Sequence, residues 1–427
     1  MKPSSGSDAP APPPAPPSSD AVLFVLRLGC AVHACGYAAH RVEEVMDQAA
    51  SRLGLEAQFF TTPTSIFAAF GPDDRQRTYL LRVQPGDVHL ERLNRLDAVL
   101  AGVGEGRFAP DEGLAQIERI VHSEPRYGAL LTTIAYGLAS AASARILGAG
   151  LRGVAVAGAI GVAVALLGQS AGRSPALGRV LVPLAAFVAA VLAAVAARLL
   201  GPFPVHIATL AGIIVLLPGL ALTLAMTEIS TNHLVSGTAR LTGAIVTFIA
   251  LGFGVALGRQ AAALVLGATA AGTIPPLPPW TEWLAVLVAP LALTVLLRAQ
   301  PRDAGWILGA CVLALTGGRL GARALGPELG IFAGALTAGV ASNLYGRRLA
   351  RSPIVTLVPS ILVLVPGSVG FRGLLSILDR EVVNGVEAAF RTVLMVSALV
   401  AGLLIANVAV PPEPPSRAPR GAPPRRS

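Results

Sequence analysis

The sequence predicts an all-α polytopic membrane protein, with about ten transmembrane helices as two inverted five-helix repeats behind a small N-terminal α+β cytoplasmic domain. Three observations carry that reading. The 427 residues are 53% hydrophobic and only 13% charged, with a mean hydropathy of +0.66, whereas about a quarter of a soluble chain is charged. After Tyr127, apolar runs of roughly 20 residues recur, each long enough to cross ~30 Å of hydrocarbon as a helix. Finally, Pro218-Gly219 inside one such run returns as Pro366-Gly367, 148 residues later (366 − 218), and the same spacing separates Gly237 from Gly385.

The N-terminal stretch MKPSSGSDAPAPPPAPPSSD (1–20) is Pro-rich and lacks an apolar core, so it reads as a disordered tail and not as a cleaved signal. Residues 21–125 form the one non-membrane domain. Its first part, 21–55, reads as a single long helix with an amphipathic second half, where Ala38, Val42, Val45, Met46 and Ala49 share a face. QFFTTPTSIFAAF and RTYLLRVQPG are β-branched and aromatic, and pair as a hairpin about GPDDRQ. Two helices close the domain, the second opened by Pro110 at a position where a missing N–H costs nothing.

Ten spans follow, near 127–148, 152–170, 179–200, 204–225, 238–258, 281–299, 304–318, 327–346, 353–370 and 387–410. They divide into a first membrane repeat (126–260), a Pro-rich linker (261–280), a second repeat (281–410) and a basic, disordered tail (411–427). A uniform 148-residue shift carries the first five spans onto the second five. Because five is odd, the second copy lies upside down in the bilayer, as in many secondary transporters. Arginines 173, 179, 298, 302, 347, 348 and 351 fall on the N-domain's side, which the positive-inside rule makes cytoplasmic, together with both termini.

Proline inside a membrane helix removes a backbone hydrogen bond. In hydrocarbon the freed groups need partners, so such breaks persist where they line a cavity or face protein. Transporters use them to aim backbone and helix ends at substrate. The candidate substrate and proton pathway is therefore Pro218, Gly219, Thr223, Thr227, Glu228 and Asn232, with Pro366, Gly367, Asp379 and Glu381 from the second repeat. Glu228 is the candidate proton carrier or ammonium ligand, since ionisable groups at membrane depth mark pathways. The plainer reading is that Pro-Gly ends spans four and nine and that the polar stretch is an interfacial loop. Gln169 and Asn343 fit interhelical hydrogen bonds as well as ligands, and GGRLGARALG (317–326) is a helix-packing pattern first.

Several classes are excluded or unsupported. The net charge of +9 lies in short loops and the tail without interleaved aromatics, which gives no nucleic-acid surface. Cys30, Cys35 and Cys311 form no CxxC pair. His40 and Glu44 are spaced i,i+4 but lack a third ligand, so no metal is expected. Ser65 has no GxSxG around it, and neither a Walker nor a GxGxxG loop occurs. No cofactor, no catalytic residue and no ATP-driven transport are expected, and the chain is not read as an enzyme.

GYAAHRVEEVM (36–46), followed by TTPTSIFAAF (61–70), resembles the N-terminal domain of the bacterial threonine/serine exporters. The Arg41-x-Glu43 element and the paired Pro-Gly segments carry the likeness, which extends over residues 21–410. It implies a soluble domain plus two five-span modules and efflux of threonine and serine driven by the proton motive force across the bacterial cytoplasmic membrane. The partners would be a small amino acid, protons and the bilayer, and a homo-oligomer is compatible with all of this. Some relatives with the modules on separate chains are linked to export of dicarboxylates such as succinate, for which Arg240 and Arg145 are the basic candidates. A membrane-anchored hydrolase or scaffold is a third reading and would need its chemistry within 21–125.

Overall fold

The computed structural model describes residues 19–72, 74–267, 277–349, 351–365 and 367–412. Both expected tails fall outside these apart from a few residues, as do Pro366 and residues 268–276 of the linker.

In the N-terminal domain the expected single helix is two: α1 (Ser19–Ala34) and α2 (Ala39–Arg52). Gly36 breaks them with φ +83°, and a Cβ there would sit 3.1 Å from Gly86 O and from Val88 N, so the left-handed turn needs glycine twice over. The expected hairpin is also richer. Residues 57–70 fold on themselves as β1 (Ala57–Thr62) and β2 (Ser65–Phe70), and β3 (Arg77–Arg82) completes an antiparallel sheet in the order β1-β2-β3. Pro63 interrupts the apolar run, and the Thr62 hydroxyl accepts from Ser65 N–H at 3.0 Å, an ST-type turn that a search for Gly-containing loops passes over. The helices α3 (Leu90–Gly104) and α4 (Pro110–Val121) follow. Phe24, Leu28, Val42, Met46, Ile66, Leu93 and Leu96 are buried together in the domain's core.

The remainder is helical: α5 (Ala129–Ile146), α6 (Leu151–Ala171), α7 (Pro175–Leu200), α8 (Val205–Gly212), α9 (Gly219–Ser230), α10 (Leu234–Leu266), α11 (Trp280–Leu296), α12 (Ala304–Leu325), α13 (Pro327–Leu349), α14 (Ile354–Leu364), α15 (Gly367–Leu378) and α16 (Val382–Ala409). Among the described residues eight helical stretches are long and apolar enough to span a membrane, or nine if the pair α8 and α9, bent by 52°, counts as one broken span. The sixth expected span, 281–299, corresponds to α11, which has 17 residues and is shorter than those that qualify. Helix α10 runs to Leu266, so the linker is shorter than 261–280.

The two halves match in detail where the Pro-Gly breaks lie. Asn232 and Arg380, equivalent positions, both adopt left-handed φ, 65° and 68°. His233 N–H donates to Glu228 O, as Glu381 N–H does to Ser376 O, each at 2.8 Å. A Cβ on Gly237 would meet Ile229 at 2.6 Å, and one on Gly385 would meet Ile377 at 2.2 Å. Similarly, Gly254 lets α10 close on α7 and Gly402 lets α16 close on α13, the small-residue packing that substitutes for a hydrophobic drive between helices in lipid. The uniform shift does not hold throughout. The left-handed residues ending the first span of each half, Gly148 and Arg298, lie 150 residues apart (298 − 148), because the loops of the two halves differ in length.

Candidate functional site

The break after Gly36 decides what the N-terminal domain can do. It exposes the first turn of α2, whose N–H groups lack intrahelical partners. Ala39 N–H donates to Glu228 Oε1 at 2.9 Å. The favourable end of the helix dipole meets the carboxylate there. Glu228 stands in the last turn of α9 and is fully buried. The turn at Asn232 brings α10 back beside it, and Arg240 closes a two-pronged pair: Nε to Oε2 at 3.0 Å and Nη2 to Oε1 at 3.1 Å. Both carboxylate oxygens are engaged, an arrangement that compensates the desolvation of a buried charge.

Around this pair the domain docks through further polar contacts. Ser236 Oγ donates to Thr61 O at 2.7 Å. Thr61 N–H donates to Glu43 Oε1 at 2.6 Å, and Glu43 Oε2 lies 3.3 Å from His233 Nε2. The rings of His40 and His233 are 5.6 Å apart, and His33 Nε2 lies 3.3 Å from Thr62 O. Burial, and after it the charge of Arg41, pushes the His40 imidazole down to about 4, while burial also lowers His33. Both rings are thus neutral near pH 7. The domain also holds the second module: Leu90 N–H donates to Leu297 O at 3.0 Å and Tyr127 Oη to Ala299 O at 2.7 Å. All these contacts lie on one side of the helical bundle.

Between the domain and the helices lies a cavity of about 120 Å³, small beside the roughly 300–1,000 Å³ of drug-sized ligand pockets. Its floor is α9, with Leu220, Thr223, Leu224 and Thr227; α14 and α16 supply apolar walls and Asn407; the segment Gly36–Arg41 roofs it. Thr223 Oγ1 donates to Gly219 O at 3.2 Å and Thr227 Oγ1 to Thr223 O at 2.9 Å. Both hydroxyls have spent their hydrogens on the helix and keep lone pairs to offer. Asn407 Oδ1 accepts from Asn343 Nδ2 at 2.9 Å. Beyond the roof, burial raises the Asp97 carboxyl to about 6, partly offset by the Ser352 hydroxyl and Arg41.

The sequence-predicted residues divide into three places. Thr223 and Thr227 line the cavity. Pro218 and Gly219 start α9 beside it, and Gly219 meets the other break: a Cβ on Gly367 would lie 3.6 Å from Gly219 Cα, so the two broken spans touch backbone to backbone. Pro366 lies outside the described residues. Glu228 is not among the cavity's lining residues and is engaged in docking, which does not fit an ammonium ligand. Asn232 makes the turn that aims Arg240. Asp379 and Glu381 are exposed at the opposite side, Asp379 pairing with Arg259 at 3.0 Å and Glu381 accepting from Asn384 at 3.0 Å. Of the N-domain motif, Arg41 lines the cavity and pairs with Glu44 at 2.6 Å, and Glu43 docks. Gln169 donates to Thr133 Oγ1 at 2.7 Å, so it and Asn343 serve as interhelical bonds. Arg145 bonds Thr281 at 2.7 Å away from the cavity.

Sequence reasoning passed over Tyr37, which lines the cavity, and His233 and Ser236, which meet the docked domain. Nothing in their local pattern separates them from ordinary loop or helix residues. The one available signal was the acid and base flanking a turn at 228 and 240.

Residues 23–261 match a family model for threonine/serine exporters, and residues 282–409 match a second model with the same description. Among curated proteins, the chain is similar to pheromone-regulated membrane protein 10 of Eremothecium gossypii, 27% identical over 87% of this chain and 52% of that protein. An uncharacterized protein of Schizosaccharomyces pombe is 24% identical over 91% of this chain and 53% of its own. The Saccharomyces cerevisiae pheromone-regulated membrane protein 10 is 25% identical over 81% and 46%. The chain thus spans about half the length of the curated relatives it matches, and the pheromone-regulated membrane proteins among them are from yeasts, which gives the expected bacterial inner membrane no support. No solved structure matches. With one model covering more than half of the chain and the second most of the remainder, this multi-pass membrane protein belongs to the threonine/serine exporter family.

Proposed function

We propose that the chain is a secondary transporter exporting a small hydroxy amino acid, threonine or serine, driven by protons, through a cavity where two inverted five-span modules meet. The observation that carries this reading is the contact of the two broken spans at Gly219 and Gly367 beside a small cavity presenting Thr223 and Thr227. The inverted arrangement is supported by reciprocal packing: α5 lies against its counterpart α11, and α10 packs on α15 as α16 packs on α9. The N-domain contacts His233, Leu297, Arg298, Ser352 and Ile354, which alternate crossing would place together, and the arginines near them favour the cytoplasm. The chemistry needs no covalent step. Substrate entering from the domain's side would exchange water for the Thr223 and Thr227 lone pairs.

Glu228 is the proposed proton carrier. A proton on it would remove the charge that holds both Arg240 and the Ala39 N–H, so the proton could be coupled to release of the domain. Proteoliposome counterflow with labelled threonine, serine and succinate tests the substrate; movement of succinate alone would select dicarboxylate export instead. Glu228→Gln tests the coupling. It leaves the partly buried Arg240 unpaired, at a cost of up to about 3–5 kcal/mol, so Glu228→Gln/Arg240→Gln is measured beside it. In folded protein, pH-driven efflux should fail while exchange at equal pH survives. Wild-type efflux in both variants would refute the proton role.

A further inference from the structure

The membrane helices supply three walls of the cavity, and the fourth belongs to the soluble domain. Resting on the export reading, we propose that the segment Gly36–Arg41 is part of the substrate site, with Arg41 binding the substrate's carboxylate and His40 hydrogen-bonding beside it.

Among the described residues lining the cavity, Arg41 is the one charged group, His40 being neutral near pH 7, and none is a carboxylate. A guanidinium carries five donors in a planar fork suited to carboxylates. Arg41 gives Nη1–H to Glu44, one turn along the same helix, with both side chains substantially exposed. Such a pair contributes little, so a substrate carboxylate can replace it at small cost. His40 also lines the cavity, and its Nδ1 is buried without a hydrogen-bond partner. A buried polar atom without a partner calls for a missing one. Burial and the neighbouring Arg41 keep that ring neutral, its pKa at about 4, so it serves as a hydrogen-bonding group and adds no second cation.

The opposite wall has the complementary character. Thr223 and Thr227 offer lone pairs, which suit an ammonium or a hydroxyl. One cation at the roof and acceptors at the floor fit an amino acid lying carboxylate towards the domain. A dicarboxylate would need a second cation, and Arg240, the nearby candidate, is bound by Glu228. The domain is therefore not an appended regulator. Its docking through Ala39–Glu228 and Thr61–Ser236 sets the position of two substrate-contacting side chains.

The test uses full-length protein in proteoliposomes, with labelled threonine as the transported solute and threonine, threoninamide and succinate as competitors. Threoninamide lacks the carboxylate. Arg41→Gln should raise the KM for threonine about tenfold or more, the loss of a hydrogen bond to a charged group, with kcat changed much less. The advantage of threonine over threoninamide as competitor should collapse towards one, and Arg41→Lys should restore it in part. His40→Gln should weaken both competitors alike. Thermal unfolding of Arg41→Gln should match wild type, because the exposed pair it breaks adds little. Wild-type KM and competitor preference in Arg41→Gln would overturn the assignment while leaving export intact, and succinate competing better than threonine in the wild type would overturn the single-carboxylate site. Wild-type protein that moves no amino acid would overturn the export reading and this inference with it.

Discussion

His40 shows at the residue scale how docking becomes pH-dependent. Burial, then Arg41, holds its pKa at about 4 against an ordinary 6.5, so the loosened domain takes up a proton more readily than the docked one. Stability gained from a neutral His40 is full above about 6.5 and is lost as pH falls towards about 4. The groups around it pull both ways: Arg41, Arg240 and His233 oppose protonation, and Glu228 favours it. His33 and His89 are lowered as well, His89 to about 4 and chiefly by burial. Asp97 works in the opposite sense. Its carboxyl is raised to about 6 by burial, so its proton favours the folded domain at low pH and its ionisation costs stability as pH rises through 6. The thermal midpoint of the full-length protein should fall between pH 6.5 and 4. His40→Gln should flatten that fall and Asp97→Asn should steepen it. A slope unaltered by His40→Gln would remove the histidine from the account.

Elements in the two halves repeat a local device as well as a hydropathy pattern. After each Pro-Gly break a helix of 12 residues ends in a left-handed residue, and the next helix returns so closely that only glycine fits at 237 and 385. A Cβ at Gly237 would lie 2.9 Å from Ala225 O, and one at Gly385 2.8 Å from Gly373 O. In both cases backbone stands in the way behind the isoleucine side chain, and backbone cannot rotate away. Gly237→Ala and Gly385→Ala should each destabilise the protein by about 1–3 kcal/mol, the usual cost of overpacking, with similar shifts in thermal midpoint in detergent. A neutral effect at one site and a large one at the other would break the equivalence of the two turns. The left-handed conformation at Arg380 could not have been read from its identity, because asparagine adopts it readily and arginine does so only when the surrounding structure imposes it.

Across the whole molecule, the N-terminal domain sits against loops of both modules on one side, and the Arg259–Asp379 pair joins the modules on the other. This polarity makes a topological prediction. In a background without the native cysteines, Asp111→Cys and Arg348→Cys should be shielded from an impermeant maleimide in intact cells and labelled after permeabilisation. Arg323→Cys, at the far end of α12, should label in intact cells. Labelling of Asp111→Cys and Arg323→Cys from the same side would sink the alternating arrangement.

What the sequence determined by itself follows from period and composition. Long apolar runs specify membrane helices because no other open segment satisfies its backbone in hydrocarbon. The repeated Pro-Gly pairs specify two breaks, since proline has no N–H to give, and Thr223 and Thr227, which follow one of those breaks, line the cavity beside it. Local chemistry also fixed the small α+β domain, though not its turns at Gly36 and Pro63, where one residue's backbone freedom or side-chain bond outweighs the hydrophobic pattern. Tertiary structure alone decided the partners. Glu228 reads as a free acid in a polar stretch until Arg240 folds back from α10 and the α2 terminus arrives from 189 positions away in the chain. Arg41 reads as a solvated helix residue until docking makes it the roof of a cavity. Burial, charge pairing and cavity walls are properties of groups distant in sequence, set by loop lengths and helix crossings that carry no signature in the residues themselves.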